Sequence, residues 1–494
     1  MKLPIIKEAL RRSSSRALKG RASVACESGD PALAGLGQLS PAALLVDMAL
    51  TVTSKRTFRP GVAPSGSSRA GQSGQAGQAG QGRAPVPAKV AVAPAPLTPG
   101  AVVAKVIARI WQGGELTIVD SPPGAGKTEL VTTTTAHLAV RGQMRVLIGT
   151  PTRAQGGALL ERLVTQIPAK YLESGISGVE VPGGPGPKAD REPLVRVSTL
   201  AKCRITKDRD TFQLLIVDEA YQATNAVVSE AAKGIGQVLM VGDPGQIGPV
   251  VTVDTSIWNG LKDAPHLPAA QCVGRRKDAL RFHLDCSWRL GPQTVDAIGP
   301  IYQFPFTSAE IARQATTNSG DPLQEIESIE IPSMGGVDDV AGLTVVADRV
   351  VDLVGGTLTV PGQPARANKP AQPPASRTVE GSDIAVVVSR NSQVSIITGL
   401  LRERGVSSVL VGTADRLQGG EWPIVVALDA MSGSADRQTD HNQSVGRLCV
   451  MASRHNTHLS WVHDGTWRAL RKEAAKAPVG YVVRAKLAGE ILDG

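Results

Sequence analysis

Short apolar runs separated by polar, helix-compatible stretches recur along most of this chain. The first set falls at 116–120, 144–149, 194–198, 213–217 and 236–241, each rich in Val, Ile and Leu. Short apolar runs of this length suit strands whose two faces are both covered, as in a parallel sheet lying under helices. A second set follows at 384–388, 408–412, 423–428 and 458–462. The alternation predicts an α/β fold with two tandem doubly wound parallel-sheet domains. The first would span 97–282 and the second 283–485. Between the two sets, at 307–383, a Pro/Ala-rich stretch at 361–376 reads as an exposed insertion near 355–380.

The beginning of the chain has a different character. Residues 60–98 are dominated by Gly, Gln, Ala, Pro and Ser, with a short repeat from Gly74 to Gln81. Such a segment has little to bury, so 1–96 is expected to be a basic, low-complexity and largely disordered segment. Charge sharpens this division. The 494 residues carry a net charge of +9, and residues 1–100 hold 13 Lys+Arg against 4 Asp+Glu. The excess positive charge is therefore all N-terminal, and any nucleic-acid track on the folded part must be a local patch. The tail reads equally well as a nucleic-acid tether or as a solvated extension, and it is also a candidate contact for protein partners. Residues 1–25 are rich in Arg and Ser and poor in acids, as in organelle transit peptides. The Ala/Gly/Arg-heavy usage of the whole chain explains this better as compositional bias. The five cysteines, Cys26, Cys203, Cys272, Cys286 and Cys449, form no Cys-x-x-Cys pair. A reduced, cytoplasmic setting fits them. No apolar run approaches the ~20 residues that span a bilayer, so no membrane partner is expected.

The chemistry begins at Ser121-Pro122-Pro123-Gly124-Ala125-Gly126-Lys127-Thr128, between the run at 116–119 and a helix-compatible stretch. Strand, glycine-bearing loop and helix start together make a phosphate-binding loop, whose backbone N–H groups and helix dipole surround nucleotide phosphates. Pro123 to Glu129 would line the phosphates, Lys127 would reach the β- and γ-phosphates, and Thr128 would hold Mg²⁺. The pattern's usual first glycine is replaced by Ser121. Downstream, a strand ends in Asp218-Glu219-Ala220-Tyr221-Gln222. Consecutive acids at that place suit Asp218 as a Mg²⁺ ligand and Glu219 as the base that activates water. The next strand runs into Gly242-Asp243-Pro244-Gly245-Gln246. The Gln246 amide can both donate and accept, which suits a sensor of the γ-phosphate, although the same residues also make ordinary turns.

This order of motifs resembles that of superfamily 1 helicases, most closely the branch containing the nonsense-mediated-decay helicase. Asp218-Glu219-Ala220-Tyr221-Gln222 and Gly242-Asp243-Pro244-Gly245-Gln246-Ile247-Gly248-Pro249 match that branch at its defining positions. The resemblance covers about residues 100–465 and implies two RecA-like domains with the nucleotide between them. Gly149 to Arg153 is similar to the family's motif Ia, so Pro151 and Thr152 would contact a nucleic-acid strand, as would Ser198 and Thr199. As threonines before helices, Thr152 and Thr199 are also natural helix caps. Cys286 to Pro292 resembles motif IV, with Arg289 reaching the γ-phosphate. Gly412 to Glu421 resembles motif V, with Thr413 on the strand and Gly419 and Glu421 on the nucleotide. Gly446 to Arg454 resembles motif VI, with Arg454 as arginine finger. Arg289, Arg447 and Arg454 could each also be surface ion-pair partners.

Two departures from the family pattern stand out. No adenine-reading glutamine is evident near Leu97-Thr98-Pro99-Gly100, and motif VI ends in Ser453-Arg454-His455 rather than Thr-Arg-Ala. The resemblance implies ATP hydrolysis with Mg²⁺, stimulated by single-stranded DNA or RNA and coupled to translocation or unwinding. The alternative is a helicase-like ATPase that clamps nucleic acid or a protein without unwinding. A small-molecule kinase with the same loop would need neither the second sheet nor motif V.

Overall fold

The computed structural model describes residues 99–184, 193–309, 313–362, 373–435, 439–472 and 478–491. The basic segment 1–96 lies outside the described residues. No helix among the described residues is long and apolar enough to cross a membrane.

Residues 99–283 build one parallel sheet. Its strands are β1 (Leu116–Asp120), β2 (Val146–Thr150), β3 (Leu172–Ser174), β4 (Val195–Thr199), β5 (Leu214–Asp218), β6 (Gln237–Gly242) and β7 (Ala279–His283). They lie in the order β3-β4-β2-β5-β6-β1-β7. Successive side chains of a strand point to opposite faces, and the packing here follows that rule. Leu214 and Ile216 join the core that includes Val106, Ile110, Leu130 and Leu159. Leu215 and Val217 join the opposite core, with Val228, Ala231 and Phe212. Both faces are covered, which is why the strands read as continuous apolar runs.

The second half opens with β8 (Cys286–Ser287) and β9 (Thr307–Ser308), a small parallel pair. Strands β10 (Gln314–Ala315), β12 (Thr357–Val360) and β13 (Ala375–Thr378) form an antiparallel sheet. The main parallel sheet runs β11-β17-β16-β14-β15, from β11 (Ile326–Glu330), β14 (Ile384–Val388), β15 (Leu410–Thr413), β16 (Trp422–Leu428) and β17 (His455–His463). Ala385, Val387, Val425 and Ala427 face one core, and Ile384, Val386, Ile424 and Val426 the other. The fold is therefore α/β, with two tandem doubly wound parallel sheets.

The strands predicted from apolar runs are present, with ends shifted by up to three residues. In the two parallel sheets, strands β3, β7 and β11 were not predicted, nor were the short strands β8, β9, β10, β12 and β13 outside them. The first three are edge strands, and β7 (Ala-Leu-Arg-Phe-His) and β11 (Ile-Glu-Ser-Ile-Glu) have no fully buried position. A half-exposed edge tolerates charges and so loses the apolar signature. The Pro/Ala-rich stretch is framed by β12 and β13, paired from Thr357↔Thr378 to Val360↔Ala375. Its middle, 363–372, lies outside the described residues.

Candidate functional site: a phosphate cleft between two sheets

Strand β1 ends at Asp120 and the helix Lys127–Ala136 begins six residues past Ser121, leaving Ser121 to Gly126 as a tight loop. Gly124 and Gly126 have φ of 72° and 90°, where only glycine is free of Cβ strain. Ser121, in the place of the usual glycine, is not among the positive-φ residues, so a side chain costs nothing there. Its N–H donates to the Gly242 carbonyl at 2.9 Å, tying the loop to the end of β6. The first-turn N–H groups of the helix have no intrahelical acceptor and are available to an anion. Thr128 sits in that first turn. Glu129, also expected near the phosphates, is exposed and accepts a bond from the Thr133 hydroxyl at 3.2 Å.

Strands β5 and β6 bring three acids against Lys127. Its ammonium contacts Glu219 Oε1 at 2.5 Å. Glu219 adopts φ 55°, a left-handed conformation uncommon outside glycine, which turns its side chain toward the loop. Asp218 and Asp243 are both buried. Burial pushes the Asp218 carboxyl up to about 6, helped by the Glu219 charge and opposed by Lys127. Burial pushes Asp243 up to about 6 as well, again opposed by Lys127. Burial works against the Lys127 charge, yet Glu219, Asp218 and Asp243 together hold it above its ordinary value.

These acids fit a hard cation with oxygen ligands. Asp218 is a buried carboxylate close to the Thr128 turn whose charge is only partly balanced. Among the described residues no group of three or more His, Cys, Asp or Glu forms a ready cage. That suits Mg²⁺, which takes one or two protein oxygens and completes its shell with water and phosphate.

The raised carboxyls carry a stability consequence. Between about pH 4 and 6 the folded chain keeps protons that the unfolded chain has released, so stability falls as pH rises through that window. Asp218→Asn should therefore raise the Tm of the metal-free protein at pH 7.5 while removing Mg²⁺-dependent turnover. A lower Tm at that pH would contradict the assignment.

The second half reaches directly onto the loop. Ser287 Oγ donates to the Pro123 carbonyl at 2.8 Å, and the Trp288 N–H donates to the Gly124 carbonyl at 2.9 Å. A Cβ on Gly124 would come within 2.4 Å of the Arg289 Cβ, so glycine also permits this close approach. Arg289 pairs through Nε with Glu421 at 2.8 Å and donates to the Ser453 carbonyl at 3.4 Å. Arg454 is 2% exposed. Among the described residues it donates only to the Gly420 carbonyl at 3.4 Å and the Ser453 hydroxyl at 3.3 Å, and its Nε has no partner there. No carboxylate among the described residues forms an ion pair with it. Burial and the Arg289 charge lower its pKa, while Cys449, Asp243 and Glu219 raise it. A buried guanidinium with neutral partners beside a second arginine is a place for an anion.

Gln246 lies in the same cleft. Its Nε2 donates to Asp243 Oδ2 at 2.7 Å, and Gln418 donates to its Oε1 at 3.5 Å. Ile247 is buried in the core of the second half, so the turn after β6 bridges the two sheets. Gly419, with φ 88°, borders Gln155 of the first half. Glu421, expected on the nucleotide, is instead engaged by Arg289. Arg447 pairs with Asp415 at 3.0 Å and stays outside the cleft, the surface ion-pair alternative.

The strand-contacting candidates lie at or just past the C-terminal ends of parallel strands. Thr152, Thr199 and Thr413 end β2, β4 and β15 or directly follow them, and each caps the next helix. Their hydroxyls accept from the N–H of Gln155 at 3.2 Å, Lys202 at 3.3 Å and Arg416 at 3.4 Å. Pro151 is partly exposed beside Thr152. Ser198 is buried, with its hydroxyl directed to the Gly175 carbonyl at 3.4 Å, so its side chain is closed to a ligand.

Three residues here carried no role in the sequence. Trp288 is 50% exposed beside the phosphate loop. Arg313 donates to the Asn456 carbonyl at 3.2 Å and to the Arg289 carbonyl at 3.5 Å. Asp243 is the third buried acid. The tryptophan had a readable signal, as a scarce aromatic inside an arginine motif, and Asp243 stood in the Gly242-to-Gln246 segment. Arg313, and the partners of Asp243, depend on tertiary placement.

The fold and the glycine-bearing loop at the end of its β1 strand define a P-loop nucleotide-binding protein. The AAA_30 family, described as an AAA domain, matches residues 104–269, which take in β1 to β6. No curated protein matches the chain. Among solved structures, the PRRSV helicase has a TM-score of 0.38 and 16% identity, over 76% of this chain and 57% of that one. Arterivirus nonstructural protein 10, a helicase, has a TM-score of 0.40 and 15% identity, over 72% and 61%. Its complex with DNA has a TM-score of 0.39 and 14% identity, over 72% and 62%. The chain thus spans about three-fifths of the length of these structures.

Proposed function

We propose that the chain is an ATPase of the superfamily 1 helicase type, stimulated by single-stranded nucleic acid and coupling Mg²⁺-dependent ATP hydrolysis to movement along DNA or RNA. The observation that carries this reading is Arg454, buried across the cleft from Lys127 without a carboxylate partner among the described residues. A triphosphate would lie with its phosphates on Gly124 to Thr128, and its γ-phosphate would supply the charge that Arg454 lacks. Lys127 would leave Glu219 for the phosphates. Glu219, released from that ion pair, would take the proton of the attacking water as its oxygen bonds to the γ-phosphorus and the β–γ bridging oxygen departs with ADP. Mg²⁺, held by Asp218 and Thr128, would neutralise charge on the β- and γ-oxygens. Arg289 would exchange Glu421 for phosphate. Trp288, exposed beside the loop, offers an aromatic face to the base, which suits a site with no evident adenine-reading glutamine.

Because the arginines come from the second half, full contact with the γ-phosphate requires both sheets together, and hydrolysis would relax that contact. The clamp reading draws support from Thr152, Thr199 and Thr413, whose hydroxyls already serve as helix caps. Hydrolysis measured with and without single-stranded DNA and RNA, beside strand displacement, separates the readings. Stimulated hydrolysis with displacement supports the motor, and stimulated hydrolysis without it supports the clamp. Hydrolysis indifferent to every nucleic acid would remove both.

A further inference from the structure

We propose that Asp243 and Tyr302 form an inter-sheet couple that aims the Gln246 amide into the phosphate cleft only while the two sheets are together. Asp243 ends the first half's acidic series and is buried. Its Oδ2 accepts from Gln246 Nε2 at 2.7 Å, and its Oδ1 accepts from the Gly245 N–H at 2.9 Å and the Tyr302 hydroxyl at 2.9 Å. An ionised carboxylate can only accept, so it selects the NH₂ end of the glutamine amide. The Oε1 end is left as the acceptor, which Gln418 Nε2 of the second half meets at 3.5 Å and which the attacking water would take over.

Tyr302 belongs to the second half, where it packs with Phe304 and Phe306 and lies 3.4 Å from Cys449 Sγ. Burial, with the Asp243 charge, holds its phenol protonated, so it serves Asp243 as a donor. It can reach Asp243 only when the halves meet. A Cβ on Gly245 would come 2.6 Å from the Tyr302 ring, and one on Gly446 would come 2.8 Å from the Gln246 carbonyl, so both junctions close backbone against partner. Asp243 is thus a positioning residue acting through Gln246, and Tyr302 makes that action conditional on closure.

This inference rests on the hydrolase reading. Its test is steady-state ATP hydrolysis by the full chain, with saturating Mg²⁺ and single-stranded nucleic acid. Asp243→Asn should lower kcat by about 10²-fold while KM stays within about threefold of wild type. Added to Gln246→Ala, it should cause no further loss, because both changes remove one function. Tyr302→Phe should lower kcat by about 10-fold, and Gly245→Ala, which displaces the ring, should do the same. An unchanged kcat in Asp243→Asn, or losses that multiply with Gln246→Ala, would overturn the couple. Should Asp243→Asn fail to fold, Tyr302→Phe alone and with Gln246→Ala carries the same test. A wild type without hydrolysis removes the hydrolase reading and the couple with it. An active wild type with an unaffected Asp243→Asn removes the couple alone.

Discussion

Arg454→Ala should cut ATP turnover by about 10³-fold or more, the scale on which arginine fingers act. The expected loss falls on kcat, because Lys127 and the loop amides remain to hold the other phosphates. The variant should not be correspondingly unstable. Arg454 is buried with no carboxylate partner and with Arg289 nearby, so its charge already costs the folded state. Replacing it by Met, of similar length and without charge, should leave the Tm unchanged or raise it. The two measurements together distinguish function from packing. A structural arginine would lower Tm and leave turnover in proportion to the folded fraction. A phosphate-binding arginine lowers kcat in a well-folded protein. Wild-type turnover in Arg454→Met would refute the assignment.

Glu219→Gln should lower kcat by about 10²–10⁴-fold through loss of the general base. Nucleotide affinity should be kept or improved. Lys127 is held by Glu219 at 2.5 Å, and phosphates must compete for that ammonium. An uncharged amide competes less. Lys127→Ala gives the opposite signature, with binding itself lost. Equilibrium binding of ATP to the two variants reads this contrast, and weaker binding in Glu219→Gln would contradict the proposed exchange of partners.

Much of this geometry was legible in the residues. The buried central strands announced themselves because both faces are covered, which leaves no room for polar alternation. The phosphate loop was legible because Gly124 and Gly126 occupy φ values that other residues avoid. The edge strands β7 and β11 were hidden by Arg281, His283, Glu327 and Glu330, which an edge accommodates and a centre does not. Network partners were hidden for a different reason. Nothing near Asp243 in the sequence says that Tyr302, 59 positions away, will donate to it. Nor does Glu421 reveal that Arg289 claims it. Thr152, Thr199 and Thr413 remain double-valued, since capping a helix and touching a strand call for the same hydroxyl at the same place.

The central claim is that a triphosphate is held by Lys127 from one sheet and by Arg454 from the other. The most direct measurement is a crystal structure with Mg²⁺, ADP and a fluoride mimic of the transferred phosphoryl group. The account predicts the mimic within about 3 Å of both the Lys127 ammonium and the Arg454 guanidinium. Glu219 should then be freed from Lys127, and Arg289 turned away from Glu421. A complex in which the mimic sits on Gly124 to Thr128 while Arg454 stays sealed against Gly420 and Ser453 would contradict it.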